Sequence, residues 1–288
     1  MTTTARPYRS VLYIPASKQR ALQKACTLPV DAIIFDLEDA VAPGEKRRAR
    51  DILGEALSTL DFGPRSRVVR VNGVDTEWGA DDLAAVVGMA ADAVLLPKVG
   101  APEDVAAVSR LLDAAGSDLA IWAMIETPAG ILNAAAIATA PRMSGFVLGT
   151  NDLSKDLGVR AKPDRLPLIY ALSGALMAAR AAGIPCIDGV YNAFRDDDGL
   201  MLECEQGRDL GMDGKSLIHP AQVDIANAAF APSTAEIMMA RRVIAAFDAA
   251  LADGEGVAVV DGQIVENLHV DSARRLLARH NVITELGG

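Results

Sequence analysis

Short, almost uninterrupted apolar runs recur along the chain at residues 10–14, 32–37, 67–71, 93–96, 119–125, 145–148, 185–190 and 214–218. Their length and their richness in Val, Ile, Leu and Phe predict strands buried on both faces, as in a parallel sheet. Between them, residues 46–60, 81–90, 102–115, 166–182 and 199–210 carry helical spacing, so strand and helix alternate. Eight strands of this kind match an α/β fold of the (β/α)8 TIM-barrel type, for which about 250 residues are typical. An open doubly wound sheet fits less well, because no G-x-G-x-x-G follows the first strand. Residues 1–230 are assigned to the barrel.

Beyond Pro220 the pattern predicts a helix through Ala226 and a long helix near 234–252. An extended pair, 257–260 and 263–266, follows, turned by Asp261-Gly262, with a last helix near 270–280. Asp-Gly between β-like flanks is a hairpin signal. This helical and hairpin extension, 231–288, exceeds what a barrel needs. It is expected to pack on the barrel mouth or on a neighbouring subunit.

Charged residues interrupt every apolar run well before the roughly 18 residues that span a bilayer. The chain starts without an apolar leader, and its three cysteines, Cys26, Cys186 and Cys204, form no paired motif, which together suit a reducing cytoplasm. A net charge of −10 argues against nucleic acid or an anionic membrane as partner. The charge is uneven, however. Residues 1–30 hold Arg6, Arg9, Lys18, Arg20 and Lys24 and no acidic residue, a local positive field that an anionic ligand could use.

Barrel enzymes build their sites from the C-terminal ends of the strands. Those positions hold Tyr13, Pro15 and Lys18, then Asp36, Glu38 and Asp39, then Arg70 and Asn72, Lys98, Glu126, Asn151 and Asp152, Asp188 and His219. Charges set against apolar runs, such as Asp36, Arg70, Lys98 and Glu126, must pair with one another, a metal or a ligand. Glu126 and Asp152, ending neighbouring strands, are the expected ligands of a hard divalent cation such as Mg2+. Arg70 offers a planar fork for a carboxylate or a developing oxyanion. A metal beside an arginine suits a 2-oxo acid and C–C chemistry next to its carbonyl. His219 reads as a structural hydrogen-bonding residue, Asp196-Asp197-Asp198 as a helix cap, and Trp78 and Trp122 as packing.

The same residues fall into an ordered series of motifs: Ser10-Val11-Leu12-Tyr13-Ile14-Pro15, Asp36-Leu37-Glu38-Asp39-Ala40-Val41, Arg70-Val71-Asn72, Leu96-Pro97-Lys98, Met124-Ile125-Glu126-Thr127, Gly149-Thr150-Asn151-Asp152-Leu153, and Gly214-Lys215 through Ile218-His219-Pro220. In order and spacing the chain resembles the citrate lyase β-subunit-like (CitE-like) CoA ester lyases of the HpcH/HpaI aldolase superfamily, close to malyl-CoA and citramalyl-CoA lyases. The resemblance implies that Glu126 and Asp152 bind Mg2+, and that Arg70 contacts the 2-oxo acid with Asp36, Glu38 and Asp39 supporting the site. Asp36 is counted with Arg70 among the catalytic residues. The loop from Tyr13 to Arg20 would meet the CoA phosphates, so that Tyr13, Lys18, Arg20, Lys98, Arg70 and Glu126 form the expected substrate-binding set.

The resemblance further implies a homotrimer or homohexamer, and a tail carboxylate acting as acid/base in a neighbour's site. Here the chain departs from the pattern: the matching aspartate is Glu266 in Gln263-Ile264-Val265-Glu266-Asn267, one methylene longer, with Asp271 a weaker substitute. The implied reaction is reversible cleavage of malyl-CoA or citramalyl-CoA to acetyl-CoA and glyoxylate or pyruvate. Three rivals stay open: an aldolase on free hydroxy-oxo acids, a citrate lyase β subunit acting on an acyl-carrier thioester, and a non-catalytic oxo-acid-binding regulatory subunit.

Overall fold

Eight parallel strands pair in chain order and close into a barrel, β1 joining β8 through Ser10 opposite Lys215. The computed structural model describes residues 6–160 and 162–286. The strands are β1 (Ser10–Pro15), β2 (Ala32–Asp36), β3 (Ser66–Arg70), β4 (Ala93–Leu96), β5 (Ala120–Ile125), β6 (Met143–Leu148), β7 (Cys186–Asp188) and β8 (Gly214–Leu217). The helices between and after them are α1 (Gln19–Ala25), α2 (Lys46–Thr59), α3 (Gly79–Val87), α4 (Pro102–Ala114), α5 (Pro128–Leu132), α6 (Ala134–Ala138), α7 (Thr150–Leu157), α8 (Ile169–Ala182), α9 (Asp197–Leu210) and α10 (Val223–Phe230). The expected TIM barrel is thus the fold. The pattern of apolar runs overextends the seventh strand, which ends at Asp188, and it passes over α1 and the short α5, α6 and α7, which are too brief for a full period to register.

Period two along each strand sorts the core into two layers. Val11, Ala32, Ile34, Val68, Leu95, Trp122, Met124, Val147 and Ile187 fill the barrel interior. Their alternates, among them Leu12, Ile33, Phe35, Val69, Val94, Ile121 and Phe146, meet the helices outside. The inward parity continues upward. Beyond Val11 comes Tyr13, beyond Ile34 comes Asp36, beyond Val68 comes Arg70, and beyond Met124 comes Glu126, so the alternation that builds the core also delivers polar residues to its upper rim.

Trp122 occupies the interior edge-on to Tyr8, ring centroids 5.2 Å apart. Gly145 leaves it room, since a Cβ there would stand 2.7 Å from the indole. Gly145→Ala is therefore expected to cost about 1–3 kcal/mol by overpacking. Denaturant midpoints of the two proteins measure the loss.

The chain divides into two compact units, Tyr8–Phe230 and the remainder. In the second unit, α11 (Thr234–Ala252) and α12 (Asn267–Glu285) flank the antiparallel pair β9 (Ala258–Val260) and β10 (Gln263–Val265). Asp261 and Gly262 both adopt positive φ, 51° and 78°, the backbone a two-residue hairpin turn of the primed type requires. Phe247, Ala258, Val260, Val265 and Val270 form this unit's own core. Ser233 and Glu236 cap α11 reciprocally.

Candidate active site

At the C-terminal rim of the barrel a cavity of about 440 Å³ is lined by Tyr13, Asp36, Arg70, Glu126, Gly149 and Asp152, among others. Arg70 is its most constrained group. Nε donates to Asp36 Oδ1 at 2.8 Å and Nη2 to Asp36 Oδ2 at 2.6 Å, a bidentate fork. Nη1 lies 2.7 Å from Glu38 Oε2 and 3.7 Å from Asp39, and the guanidinium sits over the Tyr13 ring at 4.9 Å. Burial works against the charge of Arg70, but the hydrogen bonds and charge of Asp36 outweigh it and hold the guanidinium protonated. Asp36, 1% exposed, also accepts the backbone N–H groups of Glu38 and Ala40. That fastens the acidic loop to the barrel wall.

Glu38 carries the consequence of crowding. Burial pushes its carboxyl from the ordinary 4.5 up to about 7, with Arg70 pulling it down and Asp39, Glu126 and Asp36 pushing it further up. A raised carboxyl binds its proton more tightly in the folded than in the unfolded chain. The stability this contributes is complete below about pH 4.5 and is lost as pH rises through about 7. Glu38→Gln, which keeps the neutral shape, is expected to gain melting temperature relative to wild type steadily between pH 5 and 8. Parallel curves over that window would contradict the assignment.

Glu126 is 2% exposed and accepts the backbone N–H of Lys98 on Oε1 at 2.8 Å. Lys98 adopts φ 52°, a left-handed conformation rare outside glycine, and it turns the amide toward the carboxylate. The backbone of Lys98 thus meets Glu126, and the exposed residue also lines a separate hollow with Glu38, Asn72 and Asp75. Asp152 stands in the first turn of α7. Burial, seconded by the charge of Asp152, raises Glu126 to about 7 in spite of the Lys98 amide. A buried carboxylate that also feels the charge of Asp152 is suited to a cation. A Cβ on Gly149 would lie 2.3 Å from Glu126 Oε2, so glycine keeps the space before that oxygen open. Among the described residues no three His, Cys, Asp or Glu side chains gather as a metal cage. An all-oxygen pair that leaves coordination to substrate and water fits Mg2+ and not zinc.

Lys18, Arg20, Asp188 and His219 do not line the cavity. Lys18 and Arg20 are exposed at the start of α1, on the loop that follows the cavity-lining Tyr13 and Pro15. Asp188 does not join the polar ring: it is fully buried in a cluster with Arg165 at 2.8 Å and Lys215 at 3.1 Å. A strand-end aspartate flanked by apolar residues looks identical in sequence whether it faces the mouth or the wall. His219 caps the turn after β8, its Nδ1 accepting the Ala221 N–H at 3.1 Å, and lies 4.7 Å from the Phe194 ring. Glu266 is exposed and caps α12 in the second unit, its backbone N–H donating to His269 Nδ1 at 3.0 Å.

Sequence reasoning missed Lys46. Its Nζ donates to the Leu37 and Glu38 carbonyls and to Asn72 Oδ1 at 2.7–2.8 Å, pinning the acidic loop from below. Asn72 is held in turn by buried Asp82. The signal was present: Lys46 shares the buried face of α2 with Ala49, Leu53, Ala56 and Leu57.

Residues 9–220, nearly the whole barrel unit, match the HpcH/HpaI aldolase/citrate lyase family. The chain belongs to that family. It is 58% identical to a (3S)-malyl-CoA thioesterase of Cereibacter sphaeroides over 287 residues, covering 100% of this chain and 99% of the relative. It is 38% identical to the citrate lyase subunit beta of Escherichia coli over 95% and 93% of the two chains. The crystal structure of CitE from Mycobacterium tuberculosis in complex with magnesium, acetoacetate and coenzyme A superposes with a TM-score of 0.82 at 31% identity, covering 97% of this chain and 100% of that one. The protein is an enzyme of this lyase family, as the motif series implied.

Proposed function

We propose that the protein is a Mg2+-dependent enzyme acting on a short 3-hydroxyacyl-CoA of the malyl-CoA or citramalyl-CoA type. Its reaction is reversible C–C cleavage to acetyl-CoA and glyoxylate or pyruvate. The observation that carries this reading is the convergence of Glu126, Asp152 and the locked fork of Arg70 on one cavity. The Mg2+ of the CitE complex supports placing the same ion between Glu126 and Asp152, where it would supply Lewis-acid polarisation of the acid's carbonyl oxygen.

The chain's own groups set the rest. Arg70, oriented by Asp36, presents its remaining N–H groups to the carboxylate or oxyanion of the acid end. Tyr13 is kept neutral by burial and forms the apolar floor under that guanidinium. Lys18 and Arg20 supply positive charge for the CoA phosphates at the rim. Glu266 of a neighbouring subunit is the proposed acid/base that protonates or deprotonates the acetyl carbon. Assembly as a homotrimer or homohexamer in the cytoplasm completes the reading. No helix among the described residues is long and apolar enough to cross a membrane.

A second reading has a specific observation behind it. The relative at 58% identity is named a thioesterase, and hydrolysis of malyl-CoA would use the same acid-binding cavity while breaking the thioester instead of the C–C bond. Incubation of malyl-CoA with enzyme and Mg2+ separates the two: glyoxylate with acetyl-CoA marks cleavage, and malate with free CoA thiol marks hydrolysis. If malyl-CoA yields neither product pair and citramalyl-CoA yields none of the corresponding products, the functional reading is overturned.

A further inference from the structure

A second cavity, of about 410 Å³, lies directly beside the first, and the two share Thr150, Asn151, Val190 and Asn192 as lining. The partition between them is a reciprocal pair of amides. Asn192 Nδ2 donates to Asn151 Oδ1 at 2.7 Å, and Asn151 Nδ2 donates to Asn192 Oδ1 at 3.3 Å. The pair bridges the start of α7 to the loop after β7. Asn151 immediately precedes Asp152, so the partition stands behind one of the two site carboxylates. One strand of the closed barrel, β8, separates β7 from β1, whose end carries Tyr13 and Pro15, where the thioester is proposed to enter.

The annex behind the partition is a shaped compartment in the size range of ligand pockets. Its walls include Val159, Leu168 and Leu202, and Arg160 and Lys162 add positive charge at its edge. Its inner side is rigid, because Arg165 is clamped to Asp188 through both carboxylate oxygens. Glyoxylate and pyruvate carry no side chain longer than a methyl group with which to fill it.

We infer that the Asn151–Asn192 pair is a length gate for the acid end of the substrate. Closed, it confines the side chain of the 2-oxo acid to the first cavity and selects short acids. Opened, it admits a longer chain to the annex, where the apolar wall takes methylenes and Arg160 with Lys162 takes a terminal carboxylate. Both amides are exposed to solvent, so removing one leaves no buried unpaired group and the fold stays intact. Each methylene admitted to an apolar pocket is worth roughly tenfold or more in discrimination.

The inference rests on the proposed function, and the test keeps the two apart. Wild type and Asn192→Ala are titrated calorimetrically, in excess Mg2+, with pyruvate, 2-oxohexanoate and 2-oxoadipate. The ratio of affinity for either six-carbon acid over pyruvate is expected to rise about tenfold or more in Asn192→Ala. Adding Arg160→Ala and Lys162→Ala should erase the gain for 2-oxoadipate and leave that for 2-oxohexanoate. Wild type that binds pyruvate, with ratios unmoved by Asn192→Ala, overturns the gate alone. Failure of wild type to bind any 2-oxo acid overturns the functional reading and the gate with it.

Discussion

Asp152→Asn and Glu126→Gln should each abolish turnover of the CoA thioester, by about a thousandfold or more, because polarisation by a bound divalent ion is worth several kcal/mol. The same variants should lose Mg2+ binding by calorimetry. Stability moves the other way. Without metal, Glu126 is a buried carboxylate repelled by Asp152, which the Lys98 amide and the charges of Arg70 and Lys98 relieve only in part, so Glu126→Gln is expected to melt higher than wild type in EDTA. Added Mg2+ should raise the melting temperature of wild type and leave that of the variant where it was. Retained activity and retained Mg2+ stabilisation in both variants would remove these carboxylates from the site.

Arg70→Met is expected to cost both function and fold. It strips the partner from Asp36, whose carboxylate is buried, and from most of Glu38. Breaking a buried pair by deleting one side costs about 3–5 kcal/mol. Loss of the group proposed to face the developing charge should add a drop of about 10²–10³ in kcat. Arg70→Lys keeps the charge and loses the fork, so its stability should be largely restored while the rate stays low. The double variant Arg70→Met, Asp36→Leu tests the division: it should regain much of the lost stability, since no carboxylate is left stranded at position 36, and none of the activity. A double variant as unstable as Arg70→Met would mean that the pair's coupling is not the source of the loss.

The barrel was legible because two-sided burial leaves near-continuous apolar strands, and because their spacing leaves room for helices between them. Asp36, Arg70 and Glu126 were legible for a related reason: a charge ending such a strand has few places to go. What sequence hides is direction. Asp188 ends β7 as Asp36 ends β2, yet it turns to Arg165 and Lys215 in the wall. Lys98 invites a side-chain role, while the contact it makes with Glu126 is an amide aimed by an unusual backbone angle. Lys46 and Asp82 act on the site through Asn72 and the acidic loop, contacts that link residues remote in sequence and leave no local pattern. The Asn151–Asn192 partition is of the same kind, two ordinary loop amides until the fold sets them face to face.

The shared inward parity of Ile34 and Asp36, of Val68 and Arg70, and of Met124 and Glu126 has a consequence for how this enzyme can change. Inserting one residue within β2, β3 or β5 would swap the interior layer for the exterior one and at the same stroke turn the polar rim outward. Chemistry and folding therefore share one reading frame inside these strands. Length variation is open only to the segments above them, and there a lineage could alter what the enzyme accepts without touching how it works.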